Sequence, residues 1–450
     1  MKLSKLLLYG SICAAIFVLF HMYSPPIFSS GVKRAINRFL LDPLTYWWFI
    51  FPLFGLLMLL GFIIFYGMHF FASFGRGYRV KTPYYADISI LIASKNEKIL
   101  LERTLNSIVK SDYPMEKIQV IIITSGSTDG TIEFCNIFAE KHRSIDIKIL
   151  SEDLPKKGKP PALNYGLKYV KNEVVVLYDS GCILQKNTLK NLISPFQKSK
   201  INAVIGPVLV KNWKDNRLTR GIVLDYAIVS GGGLLFEIKN RLGASAYSFG
   251  RNFAVSTKYL LKYGGFNEDS MTEDLYLSAL LNLDGVQIYF SPKAKVYEYV
   301  PNTWEILTKQ RTRWLAGFIF DMPQLMTMKS EKKNGKTLII SRNMTMMVIG
   351  NIDTWFPIVI VFSILHFLIR EYYLLFWDLA LIFFQAGFLF NSIRKYGDKH
   401  YSVLLLFLVS GYIHLYMFLR QFSLPKEISW EKTPMILEKQ EIEIKALSTI

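Results

Sequence analysis

Residues 89–97 read SILIASKNE, and residues 121–131 read IIITSGSTDGT. In each, a run of apolar, largely β-branched residues breaks off into a short polar turn. Apolar runs of this length bounded by turn residues have the pattern of buried strands. Helical spacing takes over after each: Leu101, Leu105 and Ile108 lie within Glu97–Lys110, and a second helical stretch covers Thr128–His142. Strands alternating with helices predict an α/β domain with a mostly parallel sheet flanked by helices on both faces. In such sheets ligands bind beyond the carboxyl ends of the strands, so the two turns are candidate site segments. Taken singly, each reads equally well as an ordinary strand-to-helix connection with Ser127 or Thr128 as the helix cap.

Working outward, the same alternation continues. Further strands are predicted at Asp146–Leu150, Glu173–Tyr178, Ala203–Val210, Val286–Phe290 and Ala294–Tyr299, with a helix over Pro161–Val170. The stretch Leu218–Asn240 has a mixed pattern of no clear type. Apolar segments flank this region: Leu6–Tyr23 and Leu44–Phe74 before it, and Thr345–Ile369, Tyr372–Phe390 and Tyr401–Leu419 after it. All approach the length of a bilayer span. With Lys2 and Lys5 ahead of it, the first reads as a signal anchor rather than a cleaved signal peptide. Arg76, Arg79 and Lys81 close the second, which by the positive-inside rule places the chain after Arg76 in the cytoplasm; Lys33, Arg34 and Arg38 in the linker between the two spans pull the other way. Asn302–Met328 reads as amphipathic helix lying on the membrane surface. These readings divide the chain into membrane helices (1–80), a cytoplasmic α/β domain (81–301), interface helices (302–340), about three further spans (341–421) and a polar tail (422–450).

Composition agrees. The 450 residues are 51% hydrophobic and 15% aromatic, with a formal charge of +18. Such an excess suits cytoplasmic loops against anionic lipid, and polyanionic nucleotide substrates. No groove-reading motif accompanies it, so nucleic acid is not an expected partner. Cys13, Cys135 and Cys182 are far apart and lack metal-ligand spacing, which implies neither a disulfide framework nor a zinc site.

Four further motifs carry chemistry, each with a plainer reading beside it. LPKKGKPPALNYG at 154–166 places lysines and a glycine ahead of a helix, which suits an anion; basic runs are more often solvated loops. VLYDSGCIL at 176–184 places Asp179 directly after a buried strand, where a metal ion carrying phosphates can sit; an Asp before Gly181 also simply starts a turn. GGFNEDSMTEDLYLSALL at 264–281 places Glu273 and Asp274 in the first turn of a helix. There they complement the helix dipole, or one serves as a general base toward a hydroxyl. QRTRW at 310–314 places Gln310, Arg313 and Trp314 on one helical face, to clamp phosphate and stack on a ring; an interfacial helix with a snorkelling Arg and a belt Trp has the same look.

Taken together and in this order, the motifs resemble membrane-embedded family 2 glycosyltransferases, the group of hyaluronan, cellulose and poly-N-acetylglucosamine synthases, with ceramide glucosyltransferase as a relative. The resemblance covers Tyr84 to about Gln324, the layout of the flanking spans, and the tail segment SWEKTP at 429–434. It implies a GT-A catalytic domain and an inverting displacement at the anomeric carbon of a nucleotide sugar, a UDP-sugar first among donors. By position, Asp274 is implied as the base with Glu273 as its neighbour. Asn96, Glu97, Ser125 and Ser127 surround the nucleoside, and Lys159 lies near the phosphates. Asp179 holds a divalent metal, Mg or Mn, and Gln310, Arg313 and Trp314 cover the diphosphate and acceptor. Two departures stand out: Thr124 and Ser125 occupy positions where the family carries two aspartates, and Asp179-Ser180-Gly181 replaces D-x-D, so the second metal carboxylate is missing. The D-S-G form looks like that of ceramide glucosyltransferase-type enzymes. The expected activity is therefore a cell-membrane glycosyltransferase with a cytoplasmic catalytic domain, acting on a growing polysaccharide. The alternatives are a glycolipid-forming enzyme and a non-catalytic membrane subunit that binds nucleotide or glycan.

Overall fold

The computed structural model describes residues 31–45, 50–75, 82–241, 243–327 and 352–424, with isolated positions at 11, 12, 14–16, 19 and 47. Most of Leu6–Tyr23, the cluster Arg76–Lys81, the start of the Thr345–Ile369 segment and the SWEKTP segment lie outside the described residues.

The alternating pattern folds as a seven-stranded sheet in the order β3-β2-β1-β4-β8-β6-β9. Its strands are β1 (Ile88–Ser94), β2 (Ile118–Thr124), β3 (Asp146–Ser151), β4 (Val174–Leu177), β6 (Ala203–Ile205), β8 (Phe253–Ser256) and β9 (Ile288–Phe290). Pairing is parallel except at β8, which runs against both β4 and β6. Ile88, Ile90, Leu91 and Ile92 of β1 and Val120–Ile123 of β2 are all buried. Burial on both faces is why these strands read as continuous apolar runs. Helices α3 (Lys98–Val109), α4 (Thr131–Lys141), α5 (Lys159–Leu167), α6 (Thr188–Ile193), α9 (Thr257–Lys262) and α10 (Glu273–Leu283) connect the strands.

Two sequence expectations change. Ala203–Val210 is two strands. Gly206 and Pro207 interrupt it, and a proline cannot donate to a ladder. β6 stays in the main sheet, while β7 (Val208–Val210) joins β5 (Ile183–Leu184) and β10 (Val296–Glu298) in a small second sheet. Strand β8 has no counterpart among the predicted strands. Its four residues, FAVS, are too few to show a period, and only its two neighbours make it a strand.

The mixed stretch Leu218–Asn240 also finds its place. It forms α7 (Arg217–Asp225), a π-helical turn (Tyr226–Ser230) and α8 (Leu234–Arg241). The span Arg217–Arg241 is long and apolar enough to cross a membrane, yet 94% of its apolar window is buried inside the protein. It is a core element.

The flanking helices are α1 (Gly31–Leu41), α2 (Ile50–Ser73), α11 (Trp304–Thr327), α12 (Ile352–Leu368), α13 (Tyr372–Tyr396) and α14 (Phe407–Arg420). The expected span Tyr401–Leu419 is a 3₁₀ turn, Tyr401–Leu406, followed by the 14 residues of α14. At 1.5 Å per residue that helix reaches only about 21 Å, short of a bilayer core. The 25 residues of α13 are long and apolar enough to cross a membrane. α2 lies beside it in the same direction: Asn391 donates to Ser73 Oγ at 2.7 Å, and one turn back Phe70 packs on Phe383 and Phe384. Both helices end on α8. Arg241 donates to the Ala72 carbonyl at 2.6 Å and Lys395 to the Gly75 carbonyl at 2.7 Å. Cations there satisfy orphan carbonyls and complement the helix dipole. Buried Glu237 balances them, receiving Lys395 at 3.0 Å and Tyr396 Oη at 2.7 Å.

α7 meets α14 at Gly221, where a Cβ would run into the Val409 side chain. Gly221→Val should therefore lower stability by about 1–3 kcal/mol, the usual cost of overpacking. Thermal unfolding of the detergent-solubilised variant checks it, and a melting temperature equal to wild type would contradict this contact.

Candidate active site

Strand register assembles the site. Ser94 at the end of β1 lies opposite Thr124 at the end of β2, so the two following turns stand side by side. Asn96 adopts a positive φ of 53°, and its N–H donates to Ser127 Oγ at 3.1 Å. Its Oδ1 accepts the Thr128 N–H at 2.8 Å. Asn96 and Ser127 therefore brace one another. Glu97 sits at the N-cap of α3 without a side-chain cap bond, and Ser125, just after β2, is partly exposed. Of the two positions where aspartates were expected, Thr124 is turned away: it is buried, and its hydroxyl donates to the Leu150 carbonyl at 3.2 Å.

Next along the sheet, β4 ends at Leu177, opposite Phe253 of antiparallel β8. That pairing brings Asp179, just after β4, to the same end as Gly250 and Arg251, just before β8. Lys159, at the start of α5, reaches between them. Its Nζ lies 2.6 Å from Asp179 Oδ1 and 3.3 Å from Glu273 Oε1, and it donates to the Gly250 carbonyl at 3.2 Å. Burial opposes the ammonium charge, but Asp179, Glu273 and Asp274 outweigh it and raise the Lys159 pKa above its usual value. The other lysines of the loop stay outside: Lys156 pairs with Asp269 and Lys157 with Asp153, at 2.5 Å each.

Asp274 also stands against Gly250. A Cβ there would lie 2.8 Å from Lys159 Nζ and 3.0 Å from Asp274 Oδ2, and φ is +71°. Only glycine fits this floor without displacing both charged groups. Asp274 Oδ1 accepts the Leu275 N–H at 2.8 Å. Burial, then the charge of Glu273, push the Asp274 carboxyl up to about 7, against the pull of Lys159. A carboxylate poised there suits general-base work near neutrality.

Two side chains hold the loop carrying Glu273 and Asp274. Asn164 in α5 donates to the Phe266 carbonyl at 2.9 Å and accepts the Phe266 N–H at 2.7 Å. Asp321 in α11 accepts the hydroxyls of Ser270 at 2.5 Å and Thr272 at 3.1 Å. The threonine before Glu273-Asp274 thus has a positional reason: its methyl and hydroxyl also pack onto Gly317 of α11. The same helix presents QRTRW. Gln310 is buried, while Arg313 and Trp314 are half-buried. Burial lowers the Arg313 pKa, with Glu273, Asp274 and Asp179 opposing, which places its guanidinium among these carboxylates.

Two groups at this end escaped sequence reasoning. Arg251 pairs with Glu298 at 2.5 Å, and Tyr226 Oη donates to Glu298 at 2.5 Å. Arg251 also lies 5.8 Å from the Trp314 ring. Arg311 turns away from Gln310 and Arg313 into the protein, to Asp225. Arg251 comes from a segment without a local pattern, while Arg311 lies inside QRTRW on the face away from Gln310 and Arg313; only burial reveals their roles.

A divalent metal would find oxygen donors here. Among the described residues no cluster of three His, Cys, Asp or Glu stands ready for one. Asp179 offers a carboxylate, and the adjacent Ser180 Oγ is buried without a hydrogen-bond partner. Gly181 holds φ +97° while its N–H donates to Thr104 Oγ1 at 2.8 Å. The missing second carboxylate is thus built into the backbone. The oxygen donors fit a hard ion completed by phosphate and water.

The family described as glycosyltransferase like family 2 matches residues 86–317, more than half of the 450. A probable glycosyltransferase of Bacillus subtilis, YdaM, is 30% identical over 51% of this chain and 54% of its own length. A poly-beta-1,6-N-acetyl-D-glucosamine synthase of Staphylococcus epidermidis is 32% identical over 54% of this chain and 58% of its own length. A beta-monoglucosyldiacylglycerol synthase of Nostoc sp. is 29% identical over 51% and 48%. The chain spans about half the length of the curated relatives it matches. A mannosyltransferase from Pyrobaculum calidifontis, solved with GDP-Man and Mn2+, shares the fold with a TM-score of 0.51 at 17% identity, over 80% of this chain and 94% of that one. The matched region contains every strand of the sheet and the loops that carry Lys159, Asp179 and Asp274, and the chain belongs to the family 2 glycosyltransferases.

Proposed function

We propose that this protein is an integral-membrane, inverting glycosyltransferase that moves a sugar from a nucleotide-diphosphate donor, a UDP-sugar first, to a growing polysaccharide. The observation that carries the reading is Asp274, a half-buried carboxylate at about 7 that shares the space over Gly250 with the Lys159 ammonium. An inverting transfer needs such a pairing. As the acceptor oxygen bonds to the anomeric carbon, its proton passes to Asp274. The bond from that carbon to the diphosphate oxygen breaks, and the electron pair leaves with the diphosphate. Lys159 and Arg313 meet that charge. Asn96, Glu97, Ser125 and Ser127 line the nucleoside side, and Trp314 offers a face for the acceptor ring. A divalent ion on Asp179, when bound, would neutralise further leaving-group charge.

The apolar helices α2 and α13, with their C-terminal ends on the catalytic domain, support membrane integration, and the cations Arg76, Arg79 and Lys81 favour the cytoplasmic side for that domain. The S. epidermidis relative favours a polysaccharide product. The D-S-G turn and the Nostoc relative favour a glycolipid product as the second reading. A non-catalytic role finds no support where base, ammonium and lid converge. Incubating the protein in lipid with a panel of nucleotide sugars, and identifying products by mass spectrometry, separates the two.

Asp274→Asn should abolish transfer, by several orders of magnitude, because it keeps size and removes basicity. Since its carboxyl lies near 7, kcat/KM of the wild type should fall as pH drops through about 7, roughly tenfold per unit below it. A raised carboxyl pKa also costs stability above that pH, so at pH 8 the variant should melt no lower than wild type. Turnover within a few-fold of wild type would sink the assignment.

With one carboxylate, metal should bind together with the donor diphosphate rather than before it. Calorimetry should show weak Mn²⁺ binding to the nucleotide-free protein and tighter binding in the presence of UDP. Tight binding without nucleotide would refute that order, and Asp179→Ala should remove the difference.

A further inference from the structure

Asp225 at the end of α7 is fully buried and sits outside the reacting cluster. Its Oδ2 receives Arg311 Nη2 at 2.6 Å. Its Oδ1 receives Ser230 Oγ at 2.6 Å and His414 Nε2 at 2.8 Å. Arg311 Nη1 also donates to Ser230 Oγ at 3.0 Å. Burial alone would push the Asp225 carboxyl up, but Arg311 and His414 hold it down to about 2. Three separate elements meet at this one carboxylate: α7, α11 and α14.

The arrangement reaches the site through a ring. The Arg311 guanidinium carbon lies 4.4 Å from the Trp314 ring centroid, one turn along α11. A guanidinium whose fork is fixed by a buried carboxylate has one orientation, and a ring stacked on it inherits that orientation. On the other side, α14 grips the same helix. Tyr416 shares a hydrogen bond with Thr312 at 3.1 Å, and Tyr412 packs edge-on against Trp304 at 5.2 Å.

We propose that Asp225 is a positioning residue for the acceptor cover: acting through Arg311 it sets the plane of Trp314, and through His414 it ties that plane to the seating of α14. The geometry has an economical physical basis. A desolvated Asp–Arg pair is rigid because breaking it leaves an uncompensated buried charge. A second donor on the same carboxylate then makes the pair respond to movement of the helix that carries it. α14 is one of the apolar helices flanking the catalytic domain, so the state of that helix is conveyed to the lid.

The inference rests on Trp314 covering the acceptor, and the test separates the two ideas. The full chain is labelled with 5-fluorotryptophan in lipid nanodiscs, and the Trp314 resonance is assigned by Trp314→Phe. Asp225→Asn should move or broaden the Trp314 signal and leave that of Trp213 in place. Arg311→Lys keeps the charge but loses the fork, and His414→Asn leaves the ion pair intact. Both should move the Trp314 signal, and they keep the test decisive where Asp225→Asn fails to fold. A Trp314 signal unmoved by all three variants overturns the proposal. A signal unmoved by His414→Asn alone overturns the link to α14. In transfer assays with UDP-N-acetylglucosamine and a β-1,6-linked N-acetylglucosamine hexasaccharide, Arg311→Lys should raise acceptor KM about tenfold with kcat changed far less. Combined with Trp314→Phe it should add little, because both act through one ring. Additive effects would count against positioning. Should Trp314→Phe leave acceptor KM unchanged, the lid reading fails, while the fluorine spectrum still decides the present inference.

Discussion

One ammonium organises this catalytic end. Lys159 touches Asp179 and Glu273 and lies within the field of Asp274. Those carboxylates come from two places, Asp179 from just after β4 and Glu273 and Asp274 from the first turn of α10, and without the lysine nothing would offset their mutual repulsion. Desolvated charges of one sign do not share a site without a counter-charge. The cation therefore both gathers the acids and ranks them. It pairs directly with Asp179 and Glu273, and leaves Asp274 with a proton affinity near neutrality. That ranking is what a base requires, and Gly250 preserves it by keeping any side chain out from between the groups.

Helix α11 is the second organising element, because it serves the site from both of its halves. Its first half presents Gln310, Arg313 and Trp314. Its second half holds Ser270 and Thr272 through Asp321. The start of α10, with Glu273 and Asp274, and the face bearing Arg313 and Trp314 are thus referenced to one rigid body, which limits errors in the distance between them. Positioning of this kind contributes to rate as directly as any charge. Thr272 and Asn164 fix the segment that leads into Glu273 and Asp274 in that sense.

The catalytic domain and the apolar helices are joined by polar contacts. Glu237, Arg241 and Lys395 link α8 to the ends of α2 and α13. Carbonyls at helix ends must find donors, and here the donors come from the domain and from α13 itself. The joint is therefore specific in register, which a purely apolar contact would not guarantee.

Much of this was legible in the sequence. Periodic apolar runs announced β1, β2, α3 and α4. Turn chemistry announced the segments bearing Asn96, Asp179 and Asp274, since these signals depend on residues a few positions apart. The chain's own pattern also placed Gln310, Arg313 and Trp314 on one face. What the sequence could not carry were features with partners far along the chain. The strand character of FAVS exists only because β4 and β6 flank it. The burial of Arg217–Arg241 depends on the elements that enclose it, for its composition suits a membrane equally well. Gly250 matters because Lys159 and Asp274 both occupy the space its side chain would fill, and Arg311 matters because Asp225 lies across from it. Local periodicity follows from backbone geometry and is written residue by residue; the identity of a buried charge's partner is settled only when the chain closes on itself.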